Sequence, residues 1–438
     1  MFSRLWSKRG RGNQAMTDTR NGRGAVGAFI VVTSLFFAWG FITSLIDPLI
    51  AAVKGIYELG DREALLTQFA FFISYGIISL PAAALLTRAG YVRTILISLA
   101  AMLSACLIIL LATFAEAYSA VLFGLFVMGS GITALQVAAN PLSAALGEKG
   151  KSHFRLLFSQ AFNSLGTVIG PYLGARVMLQ GTVHEGGIID AAARTEALGH
   201  IHSAFLIIAG LMTLLILFIW FSRRRIDAHA PTPPVAASPL GAFTSGWALF
   251  GGLAIFLYVG AEVSIGSLLA LFLAEPRIFN MPIQQAAELV SFYWGGAMVG
   301  RFVGSWLLTR YKAANLLAVA ATMTVLLCLV AFSTDGEVAG YAAISVGLFN
   351  SIMFPTIFTL TLERSTASHA STSGLLCVAI VGGAALPQLY GYIADSAGRS
   401  TAFVVPALAY AMIILFAIAA RRSRVLGVEP QEAPAAVH

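Results

Sequence analysis

Twelve apolar runs, each long enough to cross a lipid bilayer as a helix, leave this chain almost no sequence for anything else. They lie near residues 26–50, 66–87, 94–113, 118–146, 154–178, 203–222, 244–273, 287–309, 315–333, 338–362, 372–394 and 402–420. A helical crossing takes about 20 mostly apolar residues. A membrane barrel would instead show roughly ten-residue segments of alternating character, and these runs do not alternate. With 58% hydrophobic and only 11% charged residues, the chain has too few charges to clothe a water-soluble core of its length. The fold class expected is an all-α membrane protein with twelve transmembrane helices.

Charge placement gives the orientation. The first 25 residues carry Arg4, Lys8, Arg9, Arg11, Arg20 and Arg23 against one acid, Asp18, and such a segment stays in the cytoplasm. If crossings alternate, Arg88, Arg93, Lys149, Lys151, Arg155, Arg223, Arg224, Arg225, Arg310, Lys312, Arg364, Arg421, Arg422 and Arg424 fall on that same side, against Lys54, Arg62, Arg194, Arg277 and Arg399 on the other. Both termini are therefore expected inside, with an even number of crossings. The net charge of +7 is accounted for by this asymmetry, so no nucleic-acid partner is implied. A cleaved leader is not expected, because the first apolar run is too long and contains Asp47. Cys106, Cys328 and Cys377 are far apart within spans, which excludes a disulfide framework or a cysteine metal cluster.

The second half reads as a copy of the first. "LLTR" occurs at 85–88 and 307–310, Gly40 and Ser44 match Gly260 and Ser264, Pro141 matches Pro355, and the pair Ser152–His153 matches Ser368–His369, all at offsets of 214 to 222 residues. Between the copies lies "RRRIDAHAPTPPVAASP", basic and then proline-rich. The expected organisation is a basic tail at 1–25, a six-helix bundle at 26–222, a cytoplasmic linker at 223–243, a second bundle at 244–420 and a tail at 421–438. Parallel six-helix repeats joined in this way are the layout of the major facilitator fold, where solute sits near the midplane between the halves.

Three ionisable residues fall at depth: Asp47, Glu262 and Arg301. A charge at a helix centre costs about 2.5–3.5 kcal/mol on insertion scales, so such residues mark ion or solute pathways. Asp47 is the first candidate for proton coupling and Glu262, in the matching helix of the second half, the second. Pro48 removes a backbone hydrogen bond and frees carbonyls of the preceding turn for water or solute. Arg301, close to a basic loop, is expected to reach the cytoplasmic membrane edge or to pair there. Arg88, in "LLTRAGYVR", is a gating candidate. Amides form a second set. Gln136 and Asn140 are one turn apart before Pro141; Gln160, Asn163 and Thr167 share one stripe; Asn350 and Thr356 lie on the tenth run. Amides both donate and accept, which suits a neutral, hydroxyl-rich solute, and Trp39, Tyr258 and Trp294 offer aromatic faces. Bonding between helices is the competing role for each amide. Gly166 and Gly170 form a ridge that lets a neighbouring backbone approach closely.

At these residues the chain resembles a known family. "FFAWGFITSLIDPLI", "QFAFFISYG", "GITALQVAANP", "LLFSQAFNSLGTVIGPYLG" and "FLYVGAEVSIGSLL" are similar to the fucose:proton symporter family of the major facilitator superfamily, above all to its glucose/galactose permease branch, from about residue 28 to about 394. The resemblance implies uptake of a neutral sugar across a bacterial inner membrane, driven by an ion gradient through alternating access. It implies no cofactor, with a proton, or Na+ in its place, as the coupling ion, and a monomer in the bilayer. It places the proton on Asp47 and the sugar on Gln160 and Asn163. Two departures stand out. Fucose permeases have a glutamate where this chain has Gln136, which favours a hexose such as glucose or galactose. The superfamily's acid before the loop arginine is Thr87 here, so a gate salt bridge built on it is missing. A proton-coupled drug efflux antiporter and a non-transporting sugar sensor are the competing functions. The amide set argues against the first, and the 18 residues after the last run leave little for the second. No nucleophile–base pair points to an enzyme.

Overall fold

The computed structural model describes residues 24–44, 61–115, 117–148, 150–178, 191–231 and 238–425. Asp47 and Pro48 lie outside these residues. Among those described there is no strand, and the helices fall into two sets of six. The first set is α1 (Gly24–Ser44), α2 (Asp61–Ala89), α3 (Tyr91–Phe114), α4 (Tyr118–Ala145), α5 (Ser152–Met178) and α6 (Ala191–Asp227). The second is α7 (Gly246–Leu273), α8 (Ile283–Leu307), α9 (Ala313–Ser333), α10 (Gly336–Leu362), α11 (His369–Ala397) and α12 (Arg399–Arg422). A 3₁₀ turn, Pro239–Thr244, leads into α7, whose first turn is capped by the Ser245 hydroxyl accepting from the Ala248 amide at 3.3 Å.

Ten of the twelve helices are long and apolar enough to cross a membrane; α5 and α8 fall short on hydropathy, and they pack on each other. Their partner choice follows from their composition. A helix carrying Gln160 and Asn163, or Arg301, loses most by facing lipid and least by facing another polar helix.

The copy seen in the sequence is visible in the packing. In the first set α1 crosses α5 so closely that a side chain on Gly40 would strike the Asn163 carbonyl, and one on Gly166 the backbone of Phe37 and Phe41. In the second set α7 crosses α11 in the same manner, with Gly260 against the Gly382 carbonyl and Gly382 against the Phe256 carbonyl. Small residues let the two backbones meet, which maximises dispersion contact where lipid offers no hydrophobic driving force. The same symmetry governs the junction of the sets, where α5 lies on α8 and α11 lies on α2.

Two helices of the second set are interrupted. α10 breaks between Asn350 and Met353, and α11 passes through a 3₁₀ turn at Ala379–Val381 before resuming at Gly382. Backbone irregularity at such depth is tolerated where it is buried in protein or lines a cavity, and both breaks sit beside residues that do so.

Candidate functional site

At the junction of the two sets lies a cavity of about 220 Å³. Its wall from the first set is Trp39, Gly40 and Thr43 of α1, Tyr75 of α2, Gln136 of α4, and Gln160, Asn163 and Thr167 of α5. The wall from the second set is Tyr258, Val259 and Glu262 of α7, Arg301 of α8, Phe354 of α10 and Ile380 of α11.

The first wall is a neutral hydrogen-bonding surface. Gln136 donates through Nε2 to the Tyr75 hydroxyl at 2.9 Å, Gln160 through Nε2 to Asn140 Oδ1 at 3.4 Å, and Asn163 through Nδ2 to the Phe36 carbonyl at 3.1 Å. Each amide is thus oriented by one bond from its nitrogen, and its oxygen keeps accepting capacity for a solute. Thr43 is turned back on its own helix, donating to the Trp39 carbonyl at 2.6 Å. The Phe36 ring lies 4.1 Å from that of Trp39 and backs it against the core.

The second wall holds the charges. Arg301 donates through Nη1 to the Ser164 hydroxyl of α5 and through Nε to the Ser351 carbonyl beside the break in α10, at 3.3 Å. Its Nη2 lies 4.0 Å from Glu262 Oε1. Behind them, Tyr293 donates to the Glu262 backbone carbonyl at 3.2 Å, Asn350 donates through Nδ2 to the Tyr293 hydroxyl at 2.8 Å, and the Tyr258 hydroxyl donates to the Asn350 carbonyl at 3.1 Å. This relay ties α7, α8 and α10 together.

The structure therefore brings Trp39, Gln136, Gln160, Asn163, Tyr258, Glu262 and Arg301 to one cavity. Three other sugar-binding candidates do not line it. Asn140 is fully buried behind Gln160, Asn350 is fully buried in the tyrosine relay, and Trp294 is 41% exposed on the outside of α8, edge-on to Tyr293. The expectation for Arg301 is corrected: it turns into the bundle rather than out to a membrane edge, because Ser164, Ser351 and Glu262 supply its partners there. Gly166 and Gly170 make the close crossing with α1, Gly170 against Ser44 and the Phe41 carbonyl. Arg88 is exposed at the end of α2 and stands apart from the cavity. Tyr75, Ser164 and Tyr293 were not singled out in the sequence. A tyrosine or serine in a membrane helix carries little signal until its neighbour is known. Among the described residues no cluster of His, Cys, Asp or Glu could hold a metal ion.

A second polar cluster joins the sets at the end where α5 begins and α10 finishes. Ser152 donates to Glu363 Oε1 at 2.7 Å, His153 Nε2 lies 3.3 Å from the same oxygen, His153 Nδ1 meets the Thr359 hydroxyl, and Arg364 Nη1 is 3.5 Å from Glu363 Oε2. Burial alone would push the Glu363 carboxyl up, but His153, Ser152 and Arg364 together hold it below the usual carboxylate range. Nearby, Ser373 of α11 donates to the Val137 carbonyl of α4 at 2.8 Å.

A helical bundle of paired six-helix sets around one central cavity is matched by the family model described as Major Facilitator Superfamily over residues 28–376. The chain belongs to that superfamily, within its fucose:proton symporter family. It is 38% identical over 415 residues to a glucose/galactose transporter of Brucella abortus, covering 94% of this chain and 98% of that protein. It is 29% identical over 423 residues to the L-fucose-proton symporter of Escherichia coli, covering 91% and 94%. A crystal structure of the Escherichia coli fucose:proton symporter superposes with a TM-score of 0.81 at 26% identity, covering 91% of this chain and all of the other. These relatives are transporters and not enzymes, in line with the sequence.

Proposed function

We propose that this protein takes up a neutral hexose such as glucose or galactose together with a proton, by alternating access of the central cavity to the two faces of the membrane. The observation that carries this reading is the neutral wall of Gln136, Gln160 and Asn163, three amides from two helices facing one small space. Amides in that number suit a solute that offers several hydroxyls, and the cavity's 220 Å³ lies below the roughly 300–1,000 Å³ of pockets that take drug-sized ligands, which disfavours efflux of large amphipaths. The Brucella abortus glucose/galactose transporter supports the hexose, and the Escherichia coli L-fucose-proton symporter supports the proton.

In this reading the protein resides in a bacterial inner membrane as a monomer, with both termini in the cytoplasm and residues 223–243 as the cytoplasmic linker between domains at 26–222 and 244–420. The Ser152, His153 and Glu363 cluster then closes the cytoplasmic side. Asp47 carries the proton, four residues beyond Thr43, which lines the cavity. A carboxylate able to exchange its proton with either face, but to reorient only when neutral, couples sugar movement to the proton gradient. Glu262 is the alternative carrier.

The test is uptake of radiolabelled glucose and galactose into proteoliposomes under an imposed pH gradient, an imposed Na+ gradient, or neither. A pH gradient alone is expected to drive accumulation. Asp47→Asn should abolish accumulation while counterflow exchange persists, because the amide mimics the protonated acid. Accumulation driven by Na+ alone, or undiminished in Asp47→Asn, overturns the coupling.

A further inference from the structure

Glu262 and Arg301 face the cavity with unused and complementary hydrogen-bonding capacity. Two bonds fix the guanidinium, one to Ser164 of α5 and one to the Ser351 carbonyl of α10, and they leave Nη2 directed toward α7. There the separation of 4.0 Å from Glu262 Oε1 gives electrostatic attraction but is too long for a hydrogen bond. Oε1 is buried and has no hydrogen-bond partner. Buried polar oxygens are almost always bonded, and an orphan one calls for an explanation. A carboxylate and a guanidinium held just out of bonding reach, both on the lining of the cavity, are a pair that one oxygen can bridge by bonding to each of them.

A sugar hydroxyl meets that demand, since its oxygen accepts from an N–H while its proton goes to a carboxylate. A hydroxyl that takes the place of a bridging water and reproduces both of its bonds conserves affinity. The rest of this wall is Tyr258, Val259, Phe354 and Ile380, whose ring and aliphatic surfaces suit the C–H face of a pyranose.

We propose that Glu262 and Arg301 form a substrate-recognition pair, with one sugar hydroxyl donating to the Glu262 carboxylate and accepting from Arg301 Nη2. This deepens the sugar-transport reading and rests on it. The pair is the counterpart, across the cavity, of Gln136, Gln160 and Asn163, so the sugar is held by both sets of helices at once. Because the same guanidinium grips Ser164 of the opposite set, sugar at this pair also bears on the junction that must move. The proton is left to Asp47.

The experiment is equilibrium binding of glucose, galactose and their monodeoxy analogues to the purified full-length protein, as wild type, Glu262→Ala and Glu262→Gln. For the wild type, loss of one particular hydroxyl should weaken binding roughly tenfold or more. Glu262→Ala should bind the parent hexose as weakly as the wild type binds that analogue, and should no longer distinguish the two. If Glu262→Ala does not fold, Glu262→Gln gives the same reading in milder form, because the amide keeps an acceptor oxygen but loses its attraction to Arg301. Discrimination that stays at the wild-type ratio in the variants overturns the proposal and leaves sugar transport standing. So does wild-type hexose affinity in Glu262→Gln combined with lost accumulation, which would make Glu262 a proton carrier. A wild type that binds no neutral hexose removes the sugar reading and the proposal together.

Discussion

The two walls of the cavity rest on the same helix crossing and carry opposite chemistry. On one side Gly40 and Gly166 bring α1 against α5; on the other Gly260 and Gly382 bring α7 against α11. The first crossing presents two amides, two threonines and a tryptophan, whereas the second presents a carboxylate, a tyrosine and aliphatic surface, with an arginine from the neighbouring α8. Repetition has preserved what packs and released what faces the solute. Physically this is expected, because a side chain on a contact glycine must displace backbone, while a cavity residue answers only to what enters. The second side also bears the helix breaks at Asn350–Met353 and Ala379–Val381, next to the cavity residues Phe354 and Ile380.

The largest expected effect comes from breaking the charged wall. Arg301→Met leaves Glu262, whose side chain is 12% exposed, without its counter-ion, and severing a buried pair costs roughly 3–5 kcal/mol. The double variant Glu262→Gln with Arg301→Met should recover part of that loss in denaturant or thermal unfolding in detergent. Equal destabilisation of the single and double variants would show that Arg301 acts through Ser164 and Ser351 alone.

The shared crossing provides the next test. Gly166→Ala and Gly382→Ala should each destabilise by about 1–3 kcal/mol through overpacking, since each new methyl meets a backbone carbonyl of the facing helix. Gly76→Ala and Gly391→Ala, whose surroundings are open, should cost nothing. If Gly166→Ala were harmless and Gly382→Ala severe, the two crossings would not be equivalent.

The neutral wall should fail in binding and not in folding. Asn163→Ala and Gln160→Ala are each expected to weaken hexose affinity by about 1–3 kcal/mol with little change in melting temperature, measured on purified protein. Unchanged affinity in both would return these amides to holding Phe36 and Asn140.

The smallest effect concerns the cluster that joins the halves away from the cavity. Glu363 has a carboxyl held below its ordinary value of 4.5, so the stabilisation it provides is fully present above that pH and fades as pH falls through the lower folded-state value. Glu363→Gln should therefore be less stable than wild type by about 1 kcal/mol at neutral pH, and the gap should close in acid below 4.5. A gap that widens in acid would contradict this sign. The same variant should leave sugar affinity unchanged.

Much of this architecture was legible before any tertiary contact was known. Twelve apolar runs can only be spanning helices, since in lipid each backbone amide must find its partner within its own helix. The repeat was legible as well, because packing glycines and turn residues are constrained locally and survive as matching letters. So was the neutral character of one wall, as Gln160 and Asn163 recur at helical spacing on one stripe. Other matters were decided by three-dimensional neighbours. Asn140, Asn350 and Trp294 have the same chemistry as the residues that line the cavity, and only their neighbours decide otherwise: Gln160 covers Asn140, Tyr293 takes up Asn350, and Trp294 points away on the exposed face of α8. Arg301 reads as a residue near a basic loop until Ser164, Ser351 and Glu262, brought together from three other helices, draw it inward. Composition and periodicity report what a helix can bury. Which polar atom meets which depends on how twelve helices rotate against one another, and that is a property of the bundle and of no single segment in it.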